Sequence, residues 1–148
     1  MTGGDDISTS PTQRTIRALK DQGRVCGIVE RYNAHVGPHG IRQDLFGIID
    51  IIALDPERGV IGIQSCGQDF AAHERKILEE RAQESIDWLS TPGAKLELWG
   101  WRRVKLKRGG KAMRWAPRLR EFTLADFDGD PVLVEDPEAG ELLALDGG

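Results

Sequence analysis

Several things are scarce in this chain, and each scarcity removes a class. There are only two cysteines, Cys26 and Cys66. They fall inside apolar segments without the spacing of a metal cluster, so both are expected as buried free thiols. No apolar run approaches the length of a membrane span, which argues against a membrane partner. The opening Met-Thr-Gly-Gly-Asp-Asp lacks the basic and apolar regions of a signal peptide, and a cytoplasmic location is expected. No internal repeat is visible. With 148 residues, 39% of them hydrophobic and 30% charged, the expectation is one globular domain with tails.

Charge of one sign is also missing in places. From 95 to 120 there are ten basic residues and a single acid, Glu97; from 121 to 148 there are nine acids and no base. Residues 1–94 sum to −4, so the net charge of −4 hides a +9 block beside a −9 block. A basic block in an acidic protein suggests a polyanion site.

Residues 1–10 read as a disordered N-terminus, 11–124 as the domain, and 125–148 as an acidic, weakly ordered tail. Ser10-Pro11 opens a helix to about Asp21, expected to bury Ile16, Leu19 and Ala18. Arg24 to Arg31 reads as a strand with Glu30 among apolar neighbours, and Tyr32 to Gln43 as a loop holding His35 and His39. The central feature is a buried hairpin, Leu45 to Leu54 and Val60 to Cys66, joined by a turn with Pro56 and Gly59. A helix from about Phe70 to Leu89 follows, then a strand from Lys95 to Lys107, the turn Arg108-Gly-Gly-Lys111, and a return strand from Ala112 to Leu124 interrupted near Pro117.

Asp50 lies in the middle of an apolar strand, where an ionisable group needs a partner or a metal. Alternation puts Gln64 and Cys66 on one face of the next strand. Glu30 sits on a strand able to approach Asp50, with an ion pair to Arg31 or Arg42 as its ordinary alternative. Asp44 is six residues from Asp50, about 20 Å away along a straight strand at roughly 3.3 Å per residue. It joins the site only if Gly47 bends the strand or if Leu45 is really the strand's first residue.

The Asp50 strand, the turn and the Gln64-Ser65-Cys66 strand followed by a helix resemble the core of the PD-(D/E)xK nuclease superfamily, particularly its small Holliday-junction-resolvase-like and phage-type members. The resemblance spans roughly residues 12–122. It implies an α/β fold, a restriction-endonuclease-like mixed β-sheet flanked by helices, in the order α-β-β-β-α-β with a basic β-hairpin. It also implies a metal-dependent DNA endonuclease using Mg²⁺ or Mn²⁺, with branched DNA among the expected substrates and a homodimer as a common assembly. Asp50 matches the first aspartate, Gln64 the second acidic position and Cys66 the lysine position. A glutamine oxygen can ligate Mg²⁺, but cysteine cannot replace an ammonium. Lys76, on the early turns of the following helix, is the candidate substitute, with Glu30 as a third ligand and His73 as a neighbour.

The basic hairpin is the expected DNA contact. Arg102, Arg103, Lys105, Lys107, Arg108, Lys111 and Arg114 are interleaved with tryptophans that read as packing residues, and cations at that density bind phosphates without sequence preference. Because the catalytic set is incomplete, a degenerate nuclease fold that only binds nucleic acid is the alternative.

Overall fold

The computed structural model describes residues 9–127. Those residues form an α/β domain with a five-stranded mixed sheet. Helix α1 (Pro11–Asp21) starts where Ser10 accepts a hydrogen bond from the Gln13 amide and Pro11 occupies the first turn. Strands β1 (Val25–Ile28), β2 (Arg31–Asn33), β3 (Ile41–Gln43), β4 (Ile51–Asp55) and β5 (Gly59–Cys66) follow. Then come α2 (Phe70–Arg75), a π-helical turn (Lys76–Glu80), α3 (Ala82–Ser90), β6 (Ala94–Lys105), β7 (Met113–Phe122) and a 3₁₀ turn (Leu124–Phe127).

The sheet order is β1-β4-β5-β6-β7, with β5 and β6 parallel and the other neighbours antiparallel. The parallel pair needs a crossover, which α2, the π turn and α3 supply. Alternation along the strands sends two sets of side chains to opposite faces. Leu19 of α1 packs with Ile51, Ala53, Ile61, Ile63, Trp99 and Trp101 on one face. Phe70 and Ile77 pack with Ile48, Cys66, Leu96, Leu98 and Phe122 on the other. Both faces are covered, as the apolar hairpin required. Trp88 and Leu89 close this second cluster from α3.

The structure departs from the sequence reading in several places. The strand expected from Leu45 begins only at Ile51, so Asp50 stands at the strand's entrance instead of its middle. Residues 44–50 form a tight loop, with Phe46 at φ +57 and Gly47 at φ +78. The strand expected over 24–31 stops at Ile28, and the supposed loop 32–43 contains the β2-β3 hairpin. The single helix over 70–89 is broken by the π turn, whose signature is the Arg81 amide donating to the Lys76 carbonyl at 2.7 Å. Pro117 does not interrupt β7, which pairs from Met113 to Phe122; β7 is an edge strand, where proline is tolerated.

The expected N-terminal segment 1–10 lies mostly outside the described residues, as does the tail beyond residue 127. Residues 125–127 belong to the 3₁₀ turn, where Asp126 accepts from the Thr123 amide and from Arg120. Among the described residues no helix is long and apolar enough to cross a membrane.

Candidate metal centre and its basic surroundings

β4 runs antiparallel to β5, so the start of β4 meets the end of β5. Glu30, just after β1, reaches the same end because β1 is antiparallel to β4. The Val29 and Glu30 amides both donate to the Asp50 carbonyl. Chain topology alone thus gathers Glu30, Asp50 and Gln64.

Asp44 joins them through the 44–50 loop, which is closed by reciprocal Leu45–Ile49 backbone hydrogen bonds and by the Gly47 amide donating to the Asp44 carbonyl at 3.0 Å. The left-handed backbone at positions 46 and 47 folds the chain back on itself, so the straight-strand separation does not apply. Gly47 is also approached closely: a Cβ there would lie 2.7 Å from Arg81 Nε. One carboxylate oxygen from each of Glu30, Asp44 and Asp50 falls within 4.8 Å of the others.

Gln64 is buried and donates through Nε2 to Asp44 Oδ2 (3.0 Å), the Ile48 carbonyl (3.0 Å) and Asp50 Oδ1 (3.3 Å). Three acceptors at one end of the amide require its NH₂ group there. Its oxygen accepts from His73 Nδ1 at 3.0 Å, and His73 Nε2 lies 3.1 Å from Asp69 Oδ2. Asp69 and His73 are four residues apart across α2's first turns, and it is the three acceptors around Nε2 that orient the Gln64 amide. In this structure Gln64 turns its NH₂ group toward the acids and its oxygen toward His73, and Asp44 brings a further carboxylate to the group.

Lys76 reaches the same group, with Nζ donating to Asp44 Oδ2 at 3.0 Å. It begins the π turn, which shifts the helix register by one residue at this position. Cys66, at the position of the missing lysine, is buried in the core with Phe70, and burial pushes its thiol up to about 12. It supplies no charge. Cys66, Asp69 and His73 also bring ligand-type atoms within 4.8 Å of one another.

The electrostatics separate this site from the other buried acids. Asp55 has Arg24 at 2.5 Å, and Glu97 has Arg58 at 2.9 Å. Among the described residues no arginine or lysine is in contact with Asp50. Burial first, then its hydrogen bond with Asp44 and the charges of Asp44 and Glu30, push the Asp50 carboxyl up to about 8, against the one backbone amide of Ser65 at 2.8 Å. Burial works on Asp44 in the same direction, but hydrogen bonds from Asp50, Gln64 and Lys76 prevail and hold it at about 2. Burial and like charge thus favour a protonated Asp50 beside an ionised Asp44. The oxygen-only set Glu30-Asp44-Asp50 fits a hard cation such as Mg²⁺ or Mn²⁺, which takes one or two carboxylates and keeps several waters.

Glu30 has the ion pair with Arg42 that was its ordinary alternative, at 4.0 Å, and lies in the acidic cluster as well. A cleft of about 660 Å³ opens beside the acids, lined by Arg31, Arg42, Asp44, Phe46, Lys76 and Arg81 among others. None of these cations belongs to the basic block, and their distance apart in sequence left no local charge signal.

The block itself lies at the same end of the sheet. β5 pairs with β6 only as far as Gly100, so beyond it β6 and β7 continue as a two-stranded ribbon. Arg102, Arg103, Lys105, Lys107, Arg108, Lys111 and Arg114 are all exposed there. Register puts Arg102 and Arg114 on the α2 face, with the acids, and Arg103 and Lys105 on the α1 face. Trp99 and Trp101 are buried, donating to Glu97 and Thr15, and Trp115 lies under the Arg14 guanidinium at 3.8 Å. The tryptophans are packing residues as expected.

Comparison with protein-family models, with curated proteins and with solved structures finds no match for this chain.

Proposed function

We propose that this protein is a metal-dependent DNA endonuclease of the PD-(D/E)xK kind, with a restriction-endonuclease-like fold. The observation that carries the reading is Asp50: a buried acid set against two further acids with no basic side chain among the described residues in contact, while the other buried acids each have an arginine. Such an arrangement costs stability unless a cation completes it.

A hard divalent cation, Mg²⁺ or Mn²⁺, when bound would polarise the phosphate and lower the pKa of its water. Asp44, Asp50 and Glu30 would hold that ion. Gln64 keeps the two aspartates aligned, and its oxygen meets His73 on the other side. Lys76 takes the role of the motif's lysine, placing a cation beside the attacking water and the phosphate oxygens. Arg31, Arg42 and Arg81 along the cleft, with Arg102 and Arg114 on the ribbon, neutralise the flanking phosphates.

Purified protein is tested on plasmid and branched DNA with Mg²⁺ or Mn²⁺, beside Asp50→Ala. Cleavage by the parent, lost in Asp50→Ala with DNA binding retained, is the expected result. Salt-sensitive binding with no cleavage under either metal would replace this reading with the nucleic-acid-binding module.

A further inference from the structure

Phe46 is the one non-glycine residue among the described residues with a positive φ, +57. A bulky side chain rarely adopts that conformation, which glycine or asparagine takes at little cost. Burial does not repay the strain, because Phe46 is 56% exposed. Its loop needs a left-handed backbone there, and the ring's one aromatic contact, with Trp88, leaves it more than half exposed, so the ring is what requires explanation; strain of this kind gathers at functional sites.

The ring stands where two hollows meet. On one side is the cleft of about 660 Å³ with Arg31 and Arg42 on one wall and Lys76 and Arg81 on the other. On the other side is a hollow of about 240 Å³ formed with Glu84, Asp87, Trp88 and Thr91. The Trp88 ring lies 6.3 Å away, tilted by 48°. Phe46 is two residues from Asp44, in the loop whose ends are the two site aspartates. A phosphate drawn to the acids and Lys76 therefore leaves its neighbouring base beside the Phe46 ring. In a continuous duplex both faces of that base are already stacked on its neighbours. Only an unpaired base has a face to give.

We propose that Phe46 is a stacking platform for an unpaired nucleobase next to the scissile phosphate, and that the cleft takes single-stranded segments of DNA in preference to continuous duplex. This rests on the nuclease reading and names its substrate class. The cations on both walls of the cleft match a phosphate backbone, and an exposed aromatic between them is how sequence-independent single-strand sites are built.

The test measures binding of the full chain to labelled oligo-dT and to a blunt-ended two-strand duplex of equal length by fluorescence anisotropy, with Ca²⁺ in place of Mg²⁺. Phe46→Asn, which suits the backbone but has no ring, is expected to weaken oligo-dT binding roughly 5- to 100-fold. The duplex is expected to change by less than about twofold, since it has no base to stack. Phe46→Tyr is expected to retain both affinities, and the Tm of Phe46→Asn to stay level or rise as strain is released. Equal weakening on both DNAs, or none on either, would overturn the proposal. So would a lower Tm in Phe46→Asn together with lost oligo-dT binding in Phe46→Tyr, which would make the ring a packing residue. A parent that binds neither DNA removes both this proposal and the nuclease reading. Ring-dependent binding of oligo-dT by a parent that cleaves nothing in Mg²⁺ or Mn²⁺ removes the nuclease reading alone.

Discussion

Two aspartates bracket β4, and their environments are opposite. Asp55, at its end, is buried with Arg24 beside it and accepts from the Glu57 and Arg58 amides; the hydrogen bond from Arg24, foremost, lowers its carboxyl. Asp50, at its entrance, is also buried but faces Asp44 and Glu30, and burial pushes it up to about 8. The first is an acid the fold has neutralised to close a turn. The second has been left short of positive charge, in a place where chain topology brings more acids to it. The residue type is the same, but burial weighs far more on Asp50, and Asp55 has an arginine where Asp50 has two acids; the two differences together push one carboxyl up and the other down.

Exchanging each aspartate for its uncharged amide gives the largest contrast. Asp50→Asn is expected to lose Mg²⁺-dependent cleavage by about a thousandfold or more, the equivalent of several kcal/mol of transition-state stabilisation. The same variant should be more stable than the parent without metal at pH 8–9, by on the order of 1–3 kcal/mol, because the charged form that burial opposes is gone. Asp55→Asn should do the reverse, lowering the melting temperature while cleavage survives. Thermal melts and plasmid assays on the pair check both; loss of cleavage in both variants would undo the comparison.

pH sharpens it further. Asp50 has a folded value of about 8, above its ordinary 3.8, so the folded state holds a proton that the unfolded chain releases. Its contribution to stability is fully present below pH 3.8 and is lost as the pH rises through about 8. Asp44, lowered to about 2, behaves oppositely, and its contribution is lost only as the pH falls from 3.8 toward 2. The metal-free protein should therefore lose stability between pH 5 and 8, a slope that Asp50→Asn flattens and Mg²⁺ removes. Mg²⁺ binding at pH 7 should release about one proton, measurable by calorimetry in buffers of different ionisation enthalpy. No proton release would mean that the ion binds elsewhere.

The ribbon offers a milder comparison, between its two faces. Arg102 and Arg114 share the acids' face, while Arg103 and Lys105 point to the other. Replacing Arg102 and Arg114 together with alanine should weaken DNA binding about 10-fold or more at moderate salt, and reduce the dependence of log K on log salt by roughly one for each phosphate no longer neutralised. The same replacement at Arg103 and Lys105 should have a smaller effect. Equal effects would mean that DNA wraps the ribbon instead of crossing one face.

How much of this was legible in sequence follows from how local each signal is. The capped first helix, the apolar strands and the basic ribbon rest on neighbours in the chain and could be read directly. Asp50, Gln64, Glu30 and Lys76 could be named because apolar surroundings or a motif marked them, and the fold brings all four to one end of the sheet. Asp44 could not be placed, since its distance from Asp50 turned on the φ of Phe46 and Gly47, and a phenylalanine gives no signal for a left-handed backbone. Gly47 was the available hint. The cleft cations had no signal at all, because Arg31, Arg42, Lys76 and Arg81 meet only through the β2-β3 hairpin and the π turn.

Cys66 is the smallest expected effect. The motif would put a lysine there, yet the side chain points into the core beside Phe70 and Gly100, and Lys76 already reaches Asp44. Position 66 is therefore a packing position in this chain, and the positive charge enters from the helix. Cys66→Ala should cost about 1 kcal/mol of stability through poorer packing and change cleavage by less than about threefold. Lys76→Met should cost about 100-fold or more, the usual scale for a group that assists proton transfer. If Cys66→Ala were the more damaging of the two in an initial-rate assay, the thiol itself would belong to the chemistry and the helix lysine would be an ordinary ion pair.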